Sequence, residues 1–436
     1  MKKEMVHEEG LQNHEFVYKE TLPNGLSVLV YEMPWAQSVS ARLLVSAGPR
    51  WENDQTNGTA HYLEHMIFEG SQKYPSRREL DKAIESLGGD QNAYTDKEYV
   101  MYQAKVPAEH AAFATEFVRE FVFNPLMSEE AVAREKGIIT AELKRSNDDP
   151  SNHRWQLLRE FVWKGHSLGH NTLGTFESIR AITKRGLQSY HERFYRSDNS
   201  VLVIAGNINR QTALELSIKD FGGLVAHPEL EVNVEAPRFV EQKPRVFIEN
   251  KPLEETHILL AFSTEGRGEN SPELATIQVL SKLMRKSVFH KFVYDLGISY
   301  SAFSYPWLVS DNGLLVVGAG VHPERTEEAI DVMVNEVNSL EISEQSLREA
   351  KEALKGEQTL NIADTDDYAH FIGEQELYTG TIKSPEQVRQ CIEEVSHEAV
   401  QSLKDTIISN NTTALVLLGL VNEDKAKIFD QKLHFS

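Results

Sequence analysis

The sequence predicts an α+β protein made of two homologous α/β sandwich domains, each a sheet with helices packed on it. Three observations carry this expectation. SVLVIAGNIN at residues 200–209 is echoed by TALVLLGLVN at 413–422, an offset of 213 residues, and each is a buried-strand run closed by a glycine, Gly206 or Gly419. Near the front of each half a β-rich run, SVSARLLVSAG from Ser38 or ETHILLAFSTEG from Glu255, is followed by a helical pattern, GTAHYLEHMIFEG or SPELATIQVLSKLM. Between the halves, HPELEVNVEAPRFVEQKP carries three prolines and a cluster of acids and reads as a linker. The expected division is a first domain over residues 1–226, a linker over 227–244 with the boundary near 240, and a second domain over 245–436.

Composition narrows the function classes. Of 436 residues 40% are apolar and 25% charged, the profile of a globular chain with a large core. Lysine and arginine number 45 against 66 acids, net −21, which disfavours nucleic acid or an anionic membrane surface and favours a cationic peptide as partner. No window approaches the ~20 apolar residues of a membrane span. One cysteine, Cys391, cannot form an internal disulfide, and MKKEMVHEEG lacks the apolar stretch of a leader, so a cytoplasmic location is expected.

The first helical pattern carries the chemistry. Thr59 is a plausible N-cap and Gly70 a plausible stop, giving a helix of about three turns whose Ala60, Leu63, Met66 and Ile67 pack inward. His61 and His65, four apart, share a face with Glu64. Two imidazoles suit zinc, which takes four ligands and keeps one place for water when the site is catalytic, so a third protein ligand is needed. SEEAVAREKGIITAELKRSNDDP (128–150) reads as a helix with Ser128 as N-cap, Glu129 and Glu130 in a solvated first turn, and a stop at Pro150. Glu135 and Glu142, seven apart, share one face of it, with Ile138 and Ile139 between them. Glu142 could complete a two-histidine, one-carboxylate site, with Glu135 bonded to a ligand histidine. A second pair four apart, His166 and His170 in GHSLGHNTLG, lies among glycines and reads as loop structure rather than a metal site.

GTAHYLEHMIFEG, with Glu142 following His65 after 76 intervening residues, resembles the signature of the pitrilysin, insulin-degrading enzyme and mitochondrial processing peptidase family, the inverted zincins. LGGDQNAYTDKEYVMY (87–102) and GHSLGHNTLGTFESIRAITKRGLQSYHERFYRSDNSVLVIAGNI (165–208) extend the likeness. The resemblance implies one zinc ion per chain held by His61, His65 and Glu142, Glu64 as general base, and Glu135 as the neighbouring acid. It also implies that Asn92, Ala93 and Tyr94 lie on an edge strand where substrate backbone pairs as an added strand. The implied fold is one half of a clam shell, two of which pair to enclose a peptide-cleaving chamber.

One departure bears on the partner. In FVYDLGISYSAF (292–303) the family often has an arginine seven residues before a tyrosine, a pair reaching into the facing active site; here the positions hold Val293 and Tyr300. The upstream glycine-rich stretch is replaced by MRKSVFHKF. The expectation is the catalytic member of a heterodimer whose homologous partner supplies the arginine and tyrosine, with a homodimer as the alternative. A structural or peptide-binding subunit without turnover is the competing reading.

Overall fold

Strand sequences set the architecture. Ser27–Glu32 reads Ser-Val-Leu-Val-Tyr-Glu, so Val28 and Val30 point to one side of the sheet and Leu29 and Tyr31 to the other, yet all four are buried. A strand apolar on both faces requires cover on both. The computed structural model, which describes residues 17–225, 236–268, 273–409 and 412–435, shows where that cover comes from.

The first half runs β1 (Val17–Thr21), β2 (Ser27–Glu32), β3 (Ser38–Val45), α1 (Thr59–Ile67), α2 (Arg77–Glu85), β4 (Asp90–Thr95), β5 (Val100–Pro107), α3 (Ala111–Phe123), α4 (Glu129–Asp148), α5 (Pro150–Val162), α6 (Phe176–Ala181), α7 (Lys184–Phe194), β6 (Ser200–Gly206) and α8 (Arg210–Phe221). The second runs β7 (Val246–Asn250), β8 (Thr256–Thr264), α9 (Glu273–Phe289), β9 (Phe303–Leu308), β10 (Gly313–Val321), α10 (Thr326–Asn338), α11 (Glu344–Asn361), α12 (Thr365–Thr379), α13 (Pro385–Glu394), α14 (His397–Ser409), β11 (Thr413–Gly419) and α15 (Ala426–Lys432). A π-helical turn, His290–Asp295, precedes β9.

Strand order is β1-β2-β6-β3-β5-β4 in the first sheet and β7-β11-β8-β10-β9 in the second. Leaving out β1, the orders superpose strand for strand. The parallel pair β2·β6 corresponds to β7·β11, and every other pairing is antiparallel in both. The echo seen in the sequence is thus an echo of topology. Gly206 (φ 143) and Gly419 (φ 153) end β6 and β11, where a Cβ would lie 2.3 Å from the Ser38 carbonyl oxygen or 2.7 Å from the Thr256 Cα.

The helices are not divided as the chain is. One face of the first sheet, with Val28, Val39, Leu43 and Ile204, packs under the first half's own helices. Its other face, with Leu29, Leu44, Val201 and Val203, is covered by Ala369 and Ile372 of α12, a helix of the second half. Reciprocally, Leu259, Val316 and Val416 of the second sheet pack against Leu157, Leu158 and Val162 of α5, a helix of the first half. Each fully buried Leu, Ile or Val is worth ~1.5–3 kcal/mol relative to exposure, so the exchange binds the halves tightly. Of the expected linker, 227–235 lies outside the described residues; beyond it the chain runs back along α5, where the Val240 amide donates to the Val162 carbonyl at 2.9 Å. Among the described residues no helix is long and apolar enough to cross a membrane.

Candidate metal centre

α1 is shorter than its sequence pattern suggested, nine residues from Thr59 to Ile67, and its N-cap is Gly58 rather than Thr59. Gly58 sits in the left-handed region (φ 89) with Gly174 against it, where a Cβ would lie 2.8 Å from the Gly174 Cα, so neither a threonine nor any other side chain fits there. The cap is supplied from outside. Buried Glu52 accepts from the amides of Gly58 and Ala60, each at 2.7 Å, and from Asn57 Nδ2 at 3.2 Å. A carboxylate there satisfies orphan N–H groups and meets the positive end of the helix dipole. Burial pushes the Glu52 carboxyl up to about 7 against those hydrogen bonds.

Ala60, Leu63, Met66 and Ile67 are fully buried, as their spacing predicts, and Tyr62 joins them with its hydroxyl donating to the Val132 carbonyl of α4. That packing turns His61, Glu64 and His65 towards the cleft. Opposite them, α4 starts at its predicted cap, with Ser128 Oγ accepting from the Ala131 amide at 3.0 Å, and Glu129 and Glu130 are exposed. Ile139 anchors the helix in the core while Ile138 faces outward.

Three side chains converge. His65 Nε2 lies 3.4 Å from Glu142 Oε2, His61 Nε2 lies 3.8 Å from Glu142 Oε1, and the ligand atoms of the three residues all fall within 4.8 Å of one another. Donors about 2.1 Å from a tetrahedral zinc are roughly 3.4 Å apart, so the set fits the ion. It is the only such group among the described residues. Glu135, almost fully buried, accepts from His65 Nδ1 at 3.0 Å; that bond fixes the ring and makes Nε2 the nitrogen that faces the Glu142 carboxylate and, once deprotonated, would ligate a metal. Glu64 Oε2 accepts from Thr95 Oγ1 at 2.6 Å. The histidines of the glycine-rich loop do not converge: His166 Nδ1 accepts from the Leu168 amide at 3.1 Å and His170 pairs with Asp54 at 3.0 Å.

Electrostatics separate the two ligand imidazoles. Burial, with His65 beside it, lowers His61 to about 4 despite Glu142, so His61 is neutral at ordinary pH. Burial also disfavours the His65 cation, but the carboxylates of Glu142 and Glu135 outweigh it and raise the His65 pKa. The hydrogen bond to His65 lowers Glu142. Burial raises Glu64 against the Thr95 hydrogen bond. A metal must displace the His65 proton, so zinc affinity should fall about tenfold per pH unit below a pKa lying above the ordinary histidine value. Competition against a chromophoric chelator between about pH 6 and 8.5 measures this; a flat profile would contradict the assignment of His65.

The substrate-side residues divide. Among the described residues β4 pairs only with β5, so Asn92 and Ala93 lie on a sheet edge, beside a cleft of about 390 Å³ bounded by Glu64, His65, Phe68 and α2. The Ala93 amide is bonded to Asn92 Oδ1 at 2.9 Å, a contact that an incoming backbone carbonyl would replace. The Tyr94 side chain, expected to meet substrate, turns to the other face of the strand, where its hydroxyl lies 2.5 Å from that of Tyr99. Period-two alternation compels this, because its neighbour Thr95 faces Glu64. Tyr300 is 90% exposed on the second half, and Val293 lies in the π-helical turn. Sequence reasoning missed Glu52, which carries no local motif, and gave no role to Thr95, although it stood in the compared segment 87–102.

Residues 27–176 match the family described as insulinase, peptidase family M16, and residues 181–354 match the M16 inactive domain. A Bacillus subtilis protein described as an uncharacterized zinc protease is 29% identical over 408 residues, covering 92% of this chain and 98% of its own length. A protease from Helicobacter pylori has the same fold, with a TM-score of 0.83 at 19% identity over 92% of this chain and 99% of that one. The periplasmic protease PqqL of Escherichia coli matches with a TM-score of 0.80 at 18% identity, covering 97% of this chain but 50% of PqqL. With both M16 regions matched in order, and with the two-domain fold of its solved relatives, this chain belongs to the insulinase family of peptidases, M16.

Proposed function

We propose that the protein is a zinc-dependent endopeptidase that hydrolyses extended or unfolded peptides in an enclosed chamber, as the catalytic member of a heterodimer. One observation carries the reading: His61, His65 and Glu142 surround a single point, with Glu64 beside it and a free strand edge on the same cleft.

The three ligands would hold zinc, which when bound lowers the pKa of its water towards ~7 and polarises the scissile carbonyl. Glu64 accepts a proton at its carboxylate and returns it to the leaving amine. Its Oε2 is occupied by Thr95, which leaves Oε1 for that transfer, and burial raises its basicity. Glu135 holds the His65 ring in place. β4 binds backbone rather than side chains, exchanging the Asn92 bond on the Ala93 amide for a peptide carbonyl. The heterodimer rests on Val293 and on the match to half of PqqL. A reducing, cytoplasmic setting is part of the proposal and is checked by cell fractionation.

Cleavage of quenched peptides is the test. Peptides of a few tens of residues should be cut, with loss of activity on chelation and recovery with zinc, while a folded protein carrying the same segment is left intact. With a net charge of −21, a basic peptide should lose more affinity than a matched acidic one between low salt and 0.15 M, where screening acts over about 8 Å. Equal cleavage of folded and unfolded substrates would remove the chamber from the proposal, and salt-independent binding would remove the charge effect.

A further inference from the structure

The turn joining β4 to β5 is held by the second half of the chain on two sides. On one side Tyr99 Oη donates to Glu374 Oε1 of α12 at 2.7 Å. A phenol has one proton, so the 2.5 Å contact between the two tyrosines is donated by Tyr94 to Tyr99, and the relay ends on the Glu374 carboxylate. Arg267 Nη1 donates to the other Glu374 oxygen at 3.1 Å. On the other side Glu98 accepts from the Ser310 amide at 2.8 Å and from Arg50 at 2.5 Å, and Arg50 also donates to Asp311 at 2.8 Å.

The segment held in this way contains the working parts of the cleft. Thr95, next to Tyr94 and pointing to the opposite face, donates to Glu64; Ala93 and Asn92 form the edge two and three residues before Thr95. We propose that Glu374 is a positioning residue: through Tyr99 and Tyr94 it sets the height of the edge strand over the metal ligands and, through Thr95, the orientation of Glu64. The second half, which carries no metal ligands of its own among the described residues, would thus set the geometry of the first. This rests on the peptidase reading above. A displacement of about 1 Å in such a site can cost on the order of a hundredfold in rate.

The variants are Glu374→Ala, Glu374→Gln, Tyr99→Phe and Thr95→Val, with zinc content verified and any activating partner chain present. Glu374→Ala and Tyr99→Phe should speed amide exchange over residues 92–99 while α1 and α4 keep theirs. In a Glu64→Gln background, Glu374→Ala should weaken binding of a fluorescent extended peptide about tenfold, and in the active protein it should raise KM and lower kcat together. Glu374→Gln, whose oxygen still accepts from Tyr99, should restore most of each effect. Thr95→Val should lower kcat at unchanged KM, and combined with Glu374→Ala should cost less than the product of the two. Unchanged exchange over 92–99 in both Glu374→Ala and Tyr99→Phe would overturn the inference, as would peptide affinity and kcat equal to the parent's. Exchange decides the positioning role even if the parent neither binds nor cleaves peptide, a result that would instead defeat the peptidase reading.

Discussion

Glu64→Gln should retain one zinc per chain and lose about a thousandfold or more in turnover. The substitution keeps the volume, and the amide oxygen can still accept from Thr95 Oγ1, so the cleft keeps its shape. Only the capacity to take and return a proton is lost, and a positioned general base contributes about 10²–10⁴-fold. Glu64 is not among the three converging ligands, so metal content should be unaffected. His65→Ala and Glu142→Ala form the contrast: each removes a ligand and should lose zinc and activity together, and His65→Ala also leaves the buried Glu135 carboxylate without its hydrogen-bond partner. Metal analysis beside steady-state kinetics separates the classes. Substantial activity in Glu64→Gln would place the base elsewhere.

The isolated chain should be inactive or feebly active, and a related chain bearing an arginine and a tyrosine at the positions of Val293 and Tyr300 should raise its activity by several orders of magnitude. Tyr300 is 90% exposed, which leaves its hydroxyl open to a partner chain. Val293 offers neither charge nor hydrogen bond to such a site. A fixed cation beside the developing oxyanion is worth several kcal/mol where water is excluded, and removing one donor typically costs 10²–10³-fold. The activating chain should work even with a broken zinc motif of its own. Val293→Arg in this chain gives an independent check, since it should raise activity of the chain alone by supplying the missing charge to its mate. Full activity of an unmodified homodimer would refute the partner while leaving the zinc assignment untouched.

Much of the fold and of the candidate metal centre is legible in the sequence, and for local reasons. A strand shows itself by composition and a glycine stop, so β6 and β11 could be matched across 213 residues. A helix shows itself by caps and period, so Ser128, the apolar stripe of α1 and the shared face of Glu135 and Glu142 could each be read within one element. The failures are also local in origin. Thr59 looked like a cap because the chemistry of threonine suits one, but the cap is the Glu52 carboxylate reaching in from six residues before Gly58. Tyr94 adjoins Ala93 in the sequence, yet a strand turns adjacent side chains to opposite faces, so Tyr94 meets Tyr99 on the side away from Thr95 and Glu64.

By itself the sequence determined that α1 would present two imidazoles and a carboxylate on one face, that a second helix would present two carboxylates on one of its own, and that position 293 would carry no charge. Only the tertiary structure decided that these two helix faces meet, that Thr95 restrains Glu64, and that α5 and α12 each cover the other half's sheet. The physical reason lies in the range of the forces. Backbone propensity and side-chain periodicity act over a few residues and leave their record in the order of the letters. Hydrophobic burial is non-directional and indifferent to separation along the chain, so an apolar sheet face states that it must be covered without stating by what.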